Sequence, residues 1–315
     1  MSAFLTVLYA VLPVVCVALA GALMRRANWL NKDADDSLMR VVINVFYPCL
    51  VLDNVLGNKA LENLGTLMLA PAVGFGTVAV GIGIAWLAVR WWGGDSPVMQ
   101  RTFALVTGIY NYGYVPLPLA LTLFDRETAG VLFVHNVGVE LALWSIGYAV
   151  LTGHKLEHGW RKFITVPLVA VGLALPLNLL GAQHFLPVFI LETAKLLGQC
   201  AIPLGLVLVG ATMADYAAEF KLSKIDRLSW LAVLVRMAVL PVLFLVLAKY
   251  LPAPKELRHV ILLQAAMPAA VFPIIMSKHY GGDAPLAVRI VVATSLVSVL
   301  TIPLVIRLGM HWLGG

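Results

Sequence analysis

Charge is what this sequence has least of. Lys and Arg number 22 and Asp and Glu 16 in 315 residues, so charged side chains make up 12% of the chain. Soluble domains carry roughly a quarter, and a chain this poor in charge cannot clothe a water-facing surface. Cysteine is scarcer still. Cys16, Cys49 and Cys200 lie far apart in apolar runs without ligand partners nearby. That spacing excludes a disulfide framework or a metal set and reads as small buried hydrophobes. The seven histidines are scattered, and no HExxH or Ser-His-Asp grouping occurs. An enzyme built on a metal or an activated nucleophile is therefore not expected. Also missing is any positive stretch ahead of the first apolar run. Arg25 and Arg26 follow it instead, which argues against a cleaved signal peptide and for an N-terminus outside.

What fills the space is apolar. Hydrophobic residues make up 61% of the chain and mean hydropathy is +0.92. The 26 glycines and 17 prolines would disrupt soluble helices but are tolerated in membrane helices, where neighbours re-satisfy freed backbone groups. A spanning helix needs about 20 apolar residues. That ruler predicts an all-α integral membrane protein of ten spans, near 3–24, 38–56, 64–92, 99–124, 129–152, 163–181, 187–214, 228–250, 256–280 and 284–312. Loops after the odd spans hold 14 of the 22 basic residues and the opposite side seven, with Arg236 inside a span. The first set is expected in the cytoplasm and both termini outside, in a cell inner (plasma) membrane. The net charge of +6 then belongs to cytoplasmic loops rather than to nucleic-acid binding.

Residues 153–162 form a basic loop that divides the chain into halves, 1–152 and 163–315. Each half has five spans, an odd number, so halves of like fold lie in opposite orientations. The second span of each carries a proline, Pro48 or Pro203. The fourth carries a pair, Pro116 with Pro118 and Pro268 with Pro273. Matched interruptions of this kind point to a transporter site between inverted repeats; simple kinks are the alternative reading.

Proline removes a donor and clashes one turn back. The stretches Thr107–Pro118 and Gln264–Pro273 are thus expected to open within the membrane, where irregular backbone must line protein or a cavity. If the openings face each other, two helix N-termini offer positive dipole ends and free N–H groups to a carboxylate. Asn111 and Gln264 stand just before the breaks as neutral hydrogen-bonding groups, with Tyr112 among three tyrosines crowding the first.

Gln264-Ala-Ala-Met-Pro-Ala-Ala-Val-Phe-Pro273, followed by Lys278-His-Tyr280, resembles the ninth helix of the auxin efflux carrier family. Asn111 to Pro118 is similar to its fourth helix, although Val115-Pro116 stands where that family commonly has a glycine before the last proline. The resemblance covers nearly the whole chain, including the Pro48 helix and Ile202-Pro-Leu-Gly205. It implies a 5+5 inverted repeat with crossed, proline-broken helices 4 and 9, as in sodium/proton antiporters of the NhaA type and bile-acid symporters. It further implies a scaffold of spans 1, 2, 6 and 7 that forms a homodimer, a mobile unit of spans 3–5 and 8–10, and an elevator-type carrier of a small organic acid. The site residues carried over are Asn111, Tyr112, Pro116, Pro118, Gln264, Pro268 and Pro273, joined by Asn44 one turn before Pro48. A membrane sensor or receptor that binds a small molecule or lipid is the alternative.

Ionisable groups inside a bilayer are functional candidates by default. Glu140, in mid-span and on one face with Asn136, is a candidate for H+ or Na+ coupling, or a strut tied to Arg236. Asp53, near the outer end of its helix and otherwise a solvated helix-end carboxylate, and His135, nearer the outer end and otherwise an interfacial or hydrogen-bonded histidine, are further coupling candidates. Arg236 either attracts an anion or closes an internal salt bridge. No cofactor or metal is expected. Tryptophans at 29, 91, 92, 160, 230 and 312 read as interfacial anchors. Gly74-Phe-Gly76 and Gly81-Ile-Gly83 read as close helix packing.

Overall fold

The computed structural model describes residues 3–94, 96–153, 164–219 and 226–314. Most of the expected connecting loop, with Trp160, therefore lies outside the described residues. These are organised as helices: α1 (Ala3–Arg26), α2 (Lys32–Val55), α3 (Leu64–Trp92), α4 (Pro97–Gly108), α5 (Pro116–Leu123), α6 (Arg126–Thr152), α7 (Val166–Leu179), α8 (Val188–Glu219), α9 (Arg227–Tyr250), α10 (Lys255–Ala266), α11 (Phe272–His279) and α12 (Ala284–Leu313). Seven of them, α1, α2, α3, α6, α8, α9 and α12, are long and apolar enough to cross a membrane, and α7 is a shorter apolar helix. The protein is a multi-pass membrane protein. Its fourth and ninth expected spans are each divided in two. Helices of 12 and 8 residues give together about 30 Å of rise, roughly one hydrocarbon core.

Local chemistry sets the ends. Asn63, Ser96, Asp125, Thr165, Asp226 and Asp283 each cap a helix by accepting an N–H of its first turn, which satisfies otherwise orphaned donors. Gly93, Gly153 and Gly314 close helices in the left-handed conformation that other residues resist. Inside α2, α6 and α9 the chain makes one π turn each, at Val42–Phe46, Leu143–Gly147 and Val235–Val239. A proline follows the first and third, at Pro48 and Pro241.

Small residues decide which helices touch. A Cβ on Gly138 of α6 would lie 1.8 Å from the Pro71 carbonyl oxygen of α3, and one on Gly74 would lie 2.1 Å from that of His135. Gly81 fits against Gly108 of α4 in the same way. Of each expected packing pair one member does this; Gly76 and Gly83 have open space above them. α1 packs on α8, α2 on α7 and α8, α3 on α4 and α6, α9 on α10 and α12, and α4 on α12 as α6 on α10.

The surface is inverted relative to a soluble protein. Leu19, Leu23, Met68, Leu173, Phe189, Leu196, Val242 and Leu300 all point outward, and in lipid that exposure carries no penalty. Cys16 and Cys200 are among the exposed residues and Cys49 is half-buried. They are free, as expected, but the expectation that they are buried is corrected. Trp91 is 85% and Trp29 81% exposed, with Trp92, Trp230 and Trp312 also exposed, as interfacial anchors are. One end is held by Arg25, whose guanidinium donates to the Leu30 carbonyl and pairs with Asp35 and, at 3.3 Å, with Asp215, joining α1, α2 and α8.

Candidate functional site

Between α4 and α5 the chain is non-helical from Ile109 to Val115, and between α10 and α11 from Met267 to Val271. The two stretches meet. Tyr110 and Ala269 form an antiparallel bridge, with Asn111 N–H donating to Pro268 O at 2.8 Å and Ala270 N–H to Ile109 O at 3.0 Å. Two segments 159 positions apart thus satisfy each other's freed backbone groups, as burial at membrane depth demands. Ala269 N–H also finds the Thr294 hydroxyl of α12 at 3.3 Å.

The prolines do not sit where a simple kink would put them. Pro116 and Pro118 lie in the first turn of α5 and Pro273 in that of α11, while Pro268 stands in the break itself. A proline in a helix's first turn forfeits only a donor that had no partner. This placement corrects the expectation of N–H groups offered freely to an anion. Pro116 and Pro118 have none, and Leu117 N–H already donates to Gly113 O at 3.2 Å. On α11, Pro273 has none and Ile274 N–H donates to Val271 O. The dipole ends remain, but most of their donors are gone.

The two stretches differ in cover. Asn111 through Val115 are half-buried, whereas Met267 through Ala270 are buried. The Asn111 side chain accepts weakly from Gly113 N–H at 3.4 Å, which leaves its amide N–H groups free of protein partners. Tyr112 gives its carbonyl to the Asn136 amide at 2.6 Å. Gln264 donates to the Asn136 carbonyl oxygen at 3.4 Å, and its own Oε1, although buried, meets no protein donor. Tyr114 lies flat against the bare backbone of α8 at Gly205, where a Cβ would stand 2.0 Å from its ring.

Tyr110 is the hub. Its ring is fully buried, and its hydroxyl lies 2.8 Å from that of Thr77, which donates to Val73 O, so Tyr110 is the donor. His135 lies 6.4 Å from it and Phe244 packs on it edge-on at 6.0 Å. His135 is wholly buried and, of the two readings, hydrogen-bonded rather than interfacial, with Nδ1 at 3.4 Å from Asn136 Oδ1 and Nε2 unpartnered. Arg236 is also wholly buried against Tyr110. It is not tied to Glu140, and the expected internal salt bridge is absent among the described residues.

Glu140 accepts instead from the Thr165 hydroxyl at the head of α7. With Asn136 it lines, as the shared face predicts, a small pocket of about 10 Å³ closed by Tyr47 of α2, Phe133 of α6 and Pro167 and Leu168 of α7. Asp53 pairs with Arg126 at 3.7 Å, an ion pair near two helix ends rather than a solvated carboxylate. Asn44 is exposed and spends its amide on the Arg40 carbonyl at 2.7 Å, so the structure does not bring it to the crossing. Sequence reasoning set Asn136 on the face of Glu140 but did not place it at the site. It bonds the first break at Tyr112 and the last turn of α10 at Gln264, and its mark in the sequence is an amide between His135 and Glu140.

The profile of the membrane transport protein family matches residues 6–159 and 156–306. The chain is 25% identical over 301 residues to an uncharacterized transporter of Methanothermobacter thermautotrophicus, covering 93% of this chain and 95% of that one. It is 24% identical over 209 residues to an uncharacterized transporter of Methanocaldococcus jannaschii, covering 64% and 65%. With both broken helices in place and the profile met along nearly its whole length, the chain belongs to the membrane transport protein family, the auxin efflux carrier family that its helix-breaking motifs resemble.

Proposed function

We propose that this protein is a secondary carrier of a small organic anion, a carboxylate, bound where the two broken helices cross and moved by elevator-type alternating access. The observation that carries the reading is the paired break. Both freed backbones meet at one point, and on one side the half-buried stretch Asn111–Val115 leaves amide and ring groups within reach of a ligand. Asn111 supplies free amide donors there, Tyr112 and Gln264 line the same point through Asn136, and Pro116, Pro118, Pro268 and Pro273 hold the backbone open.

Ten spans in a 5+5 inverted repeat, residues 1–152 and 163–315 around a cytoplasmic loop, follow in this reading. The neighbour relations support it, for the principal contacts pair off between the halves. α1 on α8 corresponds to α7 on α2, α3 on α6 to α9 on α12, and α4 on α12 to α10 on α6. Spans α1, α2, α7 and α8 form the scaffold, which pairs in a homodimer through the second and seventh spans, and the remainder moves. Both termini lie outside a plasma membrane.

Two outcomes test this. Asn111→Ala should weaken binding at least tenfold while leaving the protein folded, read as loss of thermal stabilisation by a panel of mono- and dicarboxylates. Unchanged stabilisation would remove Asn111 from the site. Glu140 joins the moving part to the scaffold through Thr165, so it is the coupling candidate best placed to sense both. Glu140→Gln keeps a partner for Thr165 and should flatten the pH or sodium dependence of labelled-acid uptake into proteoliposomes. A profile identical to wild type would make Glu140 a strut. Stabilisation by an acid that is never taken up would favour the sensor reading.

A further inference from the structure

Arg236 stands at mid-length in α9, within the π turn Val235–Val239. Its guanidinium lies between Tyr110 and Phe244, with Cζ 5.4 Å from each ring centroid, and none of its three nitrogens is bonded to a protein group. Aromatic faces attract a cation, but far less than its hydration is lost on burial. A carboxylate would be the ordinary remedy, and among the described residues the surroundings hold none. The helices packed around this turn are α3, α4 and α12, and neither they nor α9 contain an Asp or Glu. Asp226, at the head of α9, is engaged with Arg289 at 3.1 Å. Glu140 is bonded to Thr165.

Helix dipoles do not settle the account either. The crossing receives two C-termini, from α4 and α10, and two N-termini, of α5 and α11, and their partial charges of about half a unit each cancel. The prolines have also stripped α5 of first-turn donors, so an anion there gains little from backbone N–H groups. One positive charge remains unbalanced against Tyr110, the residue whose backbone forms the bridge. A guanidinium does not lose that charge at any working pH.

We infer that Arg236 is the charge-selecting residue of the site. With Glu140 of the same unit neutral, as its proton- or sodium-bound form is, Arg236 gives the empty moving unit a charge of +1, so the anions carried are singly charged and the loaded unit crosses the membrane neutral. The inference rests on the carrier reading above and deepens it. Membrane potential then acts on the return of the empty unit and not on the loaded step. A doubly charged acid would leave the loaded unit negative and the potential would act on its passage.

The test uses the full chain in proteoliposomes at pH 8, with the potential set by a potassium gradient and valinomycin. Labelled lactate and benzoate (singly charged) and malonate and succinate (doubly charged) are exchanged against the same unlabelled acid on the other side, which runs only the loaded step. Exchange of a singly charged acid should change less than twofold when the potential is imposed, and exchange of a doubly charged acid at least fivefold. Arg236→Gln should make singly charged exchange potential-sensitive by fivefold or more, and Arg236→Lys should behave as wild type. Singly charged exchange that is equally sensitive in wild type and R236Q overturns the inference. If R236Q does not fold, the wild-type comparison of the two acid classes decides alone, and singly charged exchange as potential-sensitive as doubly charged overturns it. Should wild type exchange none of the four acids, that counts against the carrier reading for these acids, and substrate-free transient currents after a voltage step then decide the charge. Transients present in wild type and lost in R236Q support it; equal transients in both overturn it.

Discussion

Gly138→Val should yield no folded protein, while Gly76→Val, five residues beyond Pro71 on the partner helix, should be indistinguishable from wild type. The contrast follows from what each new Cβ meets. At Gly138 it would stand 1.8 Å from the Pro71 oxygen, 2.6 Å from the Pro71 carbonyl carbon and 2.8 Å from Phe75 N. All three are main chain inside a regular helix, so none can rotate away. Relief requires α3 and α6 to separate, which also unseats Gly74 from the His135 carbonyl and draws His135 and Asn136 off the crossing. A loss beyond about 4 kcal/mol is expected, the range reached when a packed core is forced apart. At Gly76 nothing lies within 4 Å. Size-exclusion profiles and thermal unfolding in detergent distinguish the outcomes. A monodisperse Gly138→Val protein with wild-type stability would show that α3 and α6 are not in register as described.

Asn136→Leu should reduce transport a hundredfold or more while the protein still folds. The two side chains share one branched outline of heavy atoms, so the change is chiefly chemical. Asn136 donates to Tyr112 O at 2.6 Å and accepts from Gln264 at 3.4 Å, a single amide tying the first break to the last turn of α10. Leucine would take their partner from three polar groups, Tyr112 O, Gln264 Nε2 and His135 Nδ1, at about 1–3 kcal/mol for each that is buried and left unpaired. The cheapest relief is for residues 110–114 to move, which displaces Asn111. Asn136→Asp keeps an acceptor for Gln264 and loses the donor to Tyr112, so an intermediate defect is expected. Measured by uptake and by unfolding together, a leucine variant transporting at half the wild-type rate or better would show that the crossing is held by its backbone bridge alone.

Much of the architecture was legible because proline is unambiguous. Pro116, Pro118, Pro268 and Pro273 located both breaks, since no rotamer or partner restores a missing N–H. Their placement at helix starts was not legible, because sequence alone does not say on which side of a proline the chain resumes its helix. The inward or outward sense of each residue was the harder matter. Where lipid and core are equally apolar, Cys16 and Cys200 facing out read the same as Val7 and Val11 facing in. Charged and amide side chains break that degeneracy only when their partners are known. Glu140 found Thr165, which adjoins the loop and gave no sign of it. His135 found Asn136 and Tyr110 through a packing of α3 on α6 that depends on which glycine of each pair is covered.

The π turn around Arg236 has an arithmetical consequence. Such a turn is a helix with one residue too many, and each residue of an α-helix advances it by about 100° and 1.5 Å. Arg236 and Phe244 are eight positions apart, about 80° out of phase in an unbroken α-helix, and the wide turn absorbs the surplus residue so that the Phe244 ring meets the guanidinium. The burial of this cation is thus written not only in its identity but in a count. A relative with one residue fewer and an ordinary α turn here would keep the arginine and phenylalanine on one face, whereas one with the same count and no wide turn would send them to different sides, and a comparison of the two sequences would show no gap at all.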